Sequence, residues 1–141
     1  MINELPGPTL TQVFRLHAVL GAPVDLGYGG RLIVPLIGGR FTGPELHGNL
    51  VVEGSTDRRD AFPDGTVRGH MRCTLRTDGG DLLDVHSHAI THGGPADAPL
   101  IRATTRLQAG APHLAWVNQG VFISVSLYRG DGMTLETYLV S

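Results

Sequence analysis

The stretch Val67–Ile90, VRGHMRCTLRTDGGDLLDVHSHAI, carries the reading of the fold. Asp78-Gly79-Gly80 is a hairpin turn signal between two runs with a period of two. Before the turn, Arg68, His70, Arg72, Thr74 and Arg76 alternate with Gly69, Met71, Cys73 and Leu75. After it, Asp84, His86 and His88 share one face, with Leu83, Val85 and Ala89 opposite, because side chains two apart on a strand point the same way. The stretch therefore predicts two antiparallel strands, Val67–Thr77 and Asp81–Ile90, each with one polar and one apolar face.

The same grammar extends in both directions. Upstream, Thr11–Leu20 sets Phe14, Leu16, Ala18 and Leu20 against Val13, Arg15, His17 and Val19. Arg31–Ile37 is a short apolar run restrained by Pro35 and broken by Gly38-Gly39, and Leu46–Glu53 is a further strand. The turn-rich Gly54–Gly65, with Pro63-Asp64-Gly65, is expected to separate it from the next strand. Downstream, Thr91–Pro99 reads as a flexible loop, followed by strands at Leu100–Gln108, Ala115–Tyr128 and Met133–Val140, the last two joined by Arg129-Gly130-Asp131-Gly132. Within Ala115–Tyr128, the face with Val117, Val121, Ile123, Val125 and Leu127 is assigned to the core. Consecutive strands joined by short turns predict an all-β protein, an antiparallel β-barrel of about eight strands with mostly meander connections, in one domain over residues 1–141; a sandwich would also blunt the strand edges.

Composition narrows the partners and the chemistry. With 141 residues, 41% hydrophobic and 17% charged, the chain can build a core without disulfides. Its single cysteine, Cys73, excludes an internal disulfide framework, and no leader or membrane-spanning apolar run is evident, so a cytoplasmic location and no membrane partner are expected. All 11 basic residues are Arg, which rules out lysine Schiff-base chemistry. A net charge of -2, with no basic run longer than Arg58-Arg59, makes nucleic acid an unlikely partner by composition.

Several motifs fail on their spacing. His86-Ser87-His88, with Asp84 and His92, could offer two imidazoles to one metal, but the following residues supply no Glu, and neither a metal nor another cofactor is expected. Gly-x-Ser-x-Gly is absent, and Gly27-Tyr28-Gly29-Gly30 reads as a turn rather than a phosphate loop. What survives is His70, Arg72, His17 and Arg15, with Trp116 and Asn118 from another strand. If this face lines a cavity, His transfers protons near neutral pH, Arg stabilises an oxyanion, and Trp116 stacks on substrate. The plainer reading is the wet side of a sheet, with Trp116 as an oligomer contact; Trp116 and Phe122 on an otherwise polar face argue against simple exposure.

Four segments, taken in order, resemble a known pattern: Gly38-Gly39-Arg40-Phe41-Thr42-Gly43-Pro44-Glu45-Leu46-His47-Gly48, then Pro63-Asp64-Gly65, Thr74-Leu75-Arg76-Thr77-Asp78-Gly79-Gly80, and Ala109-Gly110-Ala111-Pro112-His113-Leu114-Ala115-Trp116-Val117-Asn118. The pattern is that of domain-of-unknown-function family 3237, and the similarity spans nearly the whole chain. The resemblance implies a small single-domain β-barrel and no particular activity. It gives weight to Asp57, Arg72, Trp116 and Asn118. The chain departs from the family pattern at His70 and Cys73 around the Arg, and at His86 and His88.

Three function classes follow. The first is a cofactor-independent acid/base enzyme of isomerase, lyase or cyclase type, acting on a small, partly apolar carbonyl compound in a barrel pocket. His70, Arg72 and Asp57 would be catalytic, and Trp116, Asn118, His17, Arg15, Phe122, His86 and His88 would hold the substrate. The second is a non-catalytic barrel binding an apolar metabolite through Trp116, Phe14, Phe122 and Tyr128, and the third a homo-oligomeric structural module. His and Arg together on the strand faces favour the first, which requires His70, Arg72 and Trp116 to share one cavity. A polar lumen would leave an apolar outer face, so homo-oligomerisation is a linked expectation.

Overall fold

The computed structural model describes residues 4–27, 29–92 and 100–141. Its elements are β1 (Leu10–Leu20), β2 (Val24–Asp25), β3 (Arg31–Thr42), β4 (Gly48–Ala61), β5 (Thr66–Thr77), β6 (Leu82–His92), β7 (Leu100–Ala109), a 3₁₀ helix (Pro112–Gln119), β8 (Val121–Arg129) and β9 (Gly132–Val140). From β3 to β9 each long strand pairs with the next, and β1 pairs with both β9 and β3, which closes an eight-stranded antiparallel barrel. The short β2 adds to β3 outside the ring. Seven of these residues' neighbours, 93–99, hold most of the expected Thr91–Pro99 loop and lie outside the described residues, as does Tyr28. Among the described residues no helix is long and apolar enough to cross a membrane.

Closure decides which face of each strand points inward. Gly69, Met71, Cys73 and Leu75 of β5 line the interior with Leu83 and Val85 of β6, while Arg68, His70 and Arg72 stay outside. An eight-stranded barrel has room for little more than its own side chains. One end is packed solid by Phe14, Leu16, Phe41, Leu50, Leu107 and Phe122, with Phe14 and Phe41 edge to face at 5.9 Å. The 3₁₀ helix covers that end by inserting Leu114 and Val117. Gly48 sits where β4 and β5 come closest, and a Cβ there would run into the Arg76 carbonyl.

The structure corrects three local expectations. Pro112–Gln119 forms the 3₁₀ helix and takes residues 115–119 out of the strand expected over Ala115–Tyr128, because Pro112 opens the helix and lacks a strand donor. Consequently β8 begins at Val121, and its inward face is Phe122, Ser124, Ser126 and Tyr128; Val121, Ile123, Val125 and Leu127 face outward rather than forming core. Gly38-Gly39 does not end β3 but accompanies a bulge against β1 between Val19 and Leu20.

The third correction places the polar end of the lumen. The supposed turn region Gly54–Gly65 is mostly strand, and only its last residues turn. Val51 pairs with Thr74 and Thr56 with Arg72, so the four residues 52–55 of β4 stand opposite Cys73 alone. An odd excess of residues reverses the in-out alternation of the strand. Leu50 faces inward before the bulge, and Ser55 and Asp57 face inward after it. Gly54 supplies the left-handed backbone, with φ 77°. Ser55 pins the bulge by donating to the Val51 carbonyl at 2.6 Å and accepting the Thr74 amide at 3.3 Å. Ser55→Ala leaves that amide without its buried partner, and a loss of about 1–3 kcal/mol of stability is expected in urea unfolding.

Candidate functional site

Above the apolar plug, the interior becomes polar in two steps. The first is a chain of buried hydroxyls across four adjacent strands: Ser87 of β6 to Thr105 of β7 at 2.8 Å, Thr105 to Ser124 of β8 at 2.6 Å, and Ser124 to Thr137 of β9 at 2.8 Å. Each hydroxyl can donate once and accept, so the chain satisfies its members without charge or water. The second step is Asp57, 3% exposed, brought inward by the β4 bulge. Its Oδ2 accepts the Tyr128 hydroxyl at 2.8 Å and the Nε and Nη2 of Arg59, both at 3.1 Å. The Arg59 guanidinium also lies over the Tyr128 ring, 4.5 Å from its centre.

These three groups close the mouth of a cavity of about 40 Å³, walled by Gly69, Met71, Ala89, Ala103 and Ser126 among others. All three donors converge on Oδ2, and no described residue donates to Oδ1. Gly69 lies beside Oδ1, where an added Cβ would come to 3.9 Å, an ordinary van der Waals contact. Burial, and then the Asp57 carboxylate, push the Tyr128 phenol well above its ordinary range, which keeps it a proton donor.

The residues singled out in the sequence are distributed differently. Asp57 is in the lumen, and Phe122 is in the packed core, 2% exposed. His70 and Arg72 lie outside on β5, opposite His88 and His86 of β6. His86 is held by Asp84 at 2.9 Å, and the His70 and His88 rings stack at 4.2 Å. Arg15 and His17 face outward from β1, bonded to Glu136 at 3.2 Å and to Thr134 at 3.0 Å. Asn118 exchanges two 2.8 Å hydrogen bonds with the Ala109 backbone, tying the 3₁₀ helix to β7 as a strand neighbour would. Trp116 rests 6.4 Å from Phe122 and borders a shallow apolar groove of about 300 Å³ with Val13, Pro44 and Leu46. The structure does not bring His70, Arg72 and Trp116 into one cavity, because the β5 alternation turns the first two outward.

Arg59 was missed, and Tyr128 was weighed only as an apolar binding residue. The available signal was the spacing of Asp57 and Arg59, two apart on one strand, but it could be read only once this region was recognised as strand. Alkaline pH provides a direct check on the burial. The folded chain holds the Tyr128 proton and the Cys73 proton, whose thiol burial pushes up to about 12, at pH values where the unfolded chain has released them. Stability should therefore fall as pH rises above the ordinary thiol and phenol values, about 8.5 and about 10. Urea unfolding of the wild type, Tyr128→Phe and Cys73→Ser between about pH 8 and about pH 11 should show a flatter decline in each variant.

The chain shows clear relatives. A UPF0311 protein of Rhodopseudomonas palustris (strain TIE-1) is 26% identical over 151 aligned positions, covering 94% of this chain and 98% of that one. A UPF0311 protein of Clostridium acetobutylicum is 22% identical, covering 99% of each. Among solved structures, a protein of unknown function from Clostridium acetobutylicum ATCC 824 superposes with a TM-score of 0.89 at 19% identity, covering 98% of this chain and 100% of that one. A structure described as an enzyme from Penicillium herquei gives a TM-score of 0.74 at 17% identity, covering 100% of both. At these identities the superpositions establish a shared fold. The sequence pattern of the family described as protein of unknown function (DUF3237) matches residues 8–140, nearly the whole barrel, and the chain belongs to that family.

Proposed function

We propose that the polar end of the barrel is the reaction pocket of a cofactor-independent acid/base enzyme, of isomerase, lyase or cyclase type, acting on a small carbonyl compound. The observation that carries this reading is the asymmetry of Asp57 at the wall of the cavity: Oδ2 is tied by Tyr128 and Arg59, while Oδ1 accepts from no described residue. A carboxylate held in this way has a fixed position and a free basic oxygen. In the proposed step Oδ1 takes a proton from the carbon next to the carbonyl. The electron pair of the broken C–H bond moves into the carbonyl as an enolate, whose oxygen is met by N–H groups of Arg59, while Tyr128 keeps its one proton on Asp57 Oδ2. Return of the proton to another carbon gives isomerisation, and loss of a leaving group gives elimination.

In this reading the proton transfer expected of His70 falls to Asp57, and the oxyanion role expected of Arg72 to Arg59. A cavity of about 40 Å³ holds about one water molecule, so substrate enters as the Arg59 side chain, 32% exposed, swings aside at the mouth and turns its guanidinium from Oδ2 to the substrate oxygen, leaving Tyr128 to hold the carboxylate. The fold likeness to the Penicillium herquei protein described as an enzyme is consistent with catalysis in such a barrel.

The test is proton NMR in deuterated buffer on a panel of small cyclic ketones and 1,3-dicarbonyls. Catalysed exchange of the carbon-bound hydrogens is expected for at least one compound, reduced about 100-fold or more in Asp57→Asn and less in Tyr128→Phe. Exchange that survives Asp57→Asn, or binding of panel compounds without any exchange, would overturn the reading, the latter in favour of a non-catalytic binding barrel.

A further inference from the structure

The outside of β4–β7 carries a second cluster that the lumen chemistry does not use. Register places Arg58, His70, His88 and Thr104 in one cross-strand row, and Thr56, Arg72, His86 and Arg106 in the next. Arg58, His70 and Arg72 border a broad open depression that runs past Thr74 and Gln108 to Asn118. On the other side of the β5–β6 pair, His86, His88 and Arg106 border a second one.

This face gathers three arginines and three histidines in two adjacent rows. Four arginines have acidic partners, Arg15 with Glu136, Arg31 with Asp60, Arg40 with Asp78 and Arg59 with Asp57, while Arg76, Arg102 and Arg129 form no ion pair among the described residues but stand outside these two rows. Arg58, Arg72 and Arg106 have none among the described residues. The acid in contact with the cluster is Asp84, which is engaged with His86, and Glu53 lies at the Thr74 end of the depression. Each row sets arginine against imidazole across strands, Arg58 opposite His70 and both Arg72 and Arg106 opposite His86. His70 adds an independent mark, since its Nε2 is shut off from solvent with no hydrogen-bond partner among the described residues. A buried polar atom left unbonded is costly unless something supplies the bond.

We propose that the Arg58–His70–Arg72 face binds a tetrahedral oxyanion, the phosphoryl group of a small phosphorylated ligand. Two guanidinium forks and an imidazole, from facing positions of two strands, offer donors in several directions, which suits a tetrahedral group better than a planar carboxylate that one fork would satisfy. The site lies outside the barrel and is independent of the reaction proposed for the lumen. Its pH dependence has a definite sign. Burial, then His88, His86, Arg58 and Arg72, hold the His70 imidazole below its ordinary value, so the empty site favours neutral His70. The groups facing it are Arg58 from β4, Arg68 and Arg72 from β5, and His86, His88 and Asp84 from β6. An anion offsets the surrounding positive charge, so binding is coupled to proton uptake and tightens as pH falls.

Titration calorimetry with sulfate tests this, because sulfate keeps one charge across the range and any pH dependence then belongs to the protein. Saturable binding at about pH 6 is expected, about tenfold weaker at about pH 8. Arg58→Gln and Arg72→Gln should each weaken it about tenfold or more, and His70→Gln should flatten the pH dependence. Arg40→Gln, already neutralised by Asp78, should bind as wild type. Inorganic phosphate should compete with sulfate. Equal losses in Arg40→Gln and Arg72→Gln, unchanged affinity in both cluster variants, or no heat at either pH would overturn the proposal; matching far-ultraviolet circular dichroism establishes that each variant is folded.

Discussion

The bulge in β4 is the constraint on which the candidate site depends. Four residues of β4 opposite Cys73 shift the alternation of that strand by an odd number. Before the bulge an apolar side chain, Leu50, faces the core; after it Ser55, Asp57 and Arg59 take the inward positions. Without the shift, Thr56 and Arg58 would point inward and the carboxylate would face solvent. Ser55 holds the bulge by bonding both strands, and Gly54 supplies the one backbone conformation that a side chain would strain.

Closure of the sheet converts this local event into an internal gradient. Because β1 pairs with both β3 and β9, the lumen has no free edge and its contents must satisfy one another. At one end apolar side chains do so by packing, under a lid made by Leu114 and Val117. Toward the other end the Ser87–Thr105–Ser124–Thr137 chain satisfies hydroxyls among themselves, and beyond it Asp57 is neutralised by Arg59 and hydrogen-bonded by Tyr128. The order from apolar to hydroxyl to charged follows the order of desolvation cost, the charged pair lying nearest the mouth.

The outer surface follows a different logic. Water can solvate its charges, so alternation alone places Arg58, His70, Arg72, His86 and His88 there, and no internal partner is required. The same alternation that makes these residues conspicuous in the sequence keeps them out of the lumen. Their conspicuousness reflects a shared outer face rather than a shared pocket with Trp116.

The strand-turn-strand grammar around Asp78-Gly79-Gly80 and the recurring turns were enough to determine about eight consecutive antiparallel strands, because period-two alternation and turn chemistry are local properties, while closure of β1 on β3 decided the barrel over a sandwich. The family pattern, too, was legible in consecutive residues, and it directed weight to Asp57. Which face of each strand lies inside was not legible, because it depends on closure. β8 shows this most clearly: Val121, Ile123, Val125 and Leu127 look more like core than Phe122, Ser124, Ser126 and Tyr128, yet the second set is inward. Arg59 stayed hidden because a bulge built on Gly54 and followed by Pro63-Asp64-Gly65 looks like a turn region in one dimension. Only the tertiary structure decided that Tyr128, 71 positions from Asp57 in sequence, donates to its carboxylate, since that contact exists only when strands on opposite sides of the barrel share one lumen.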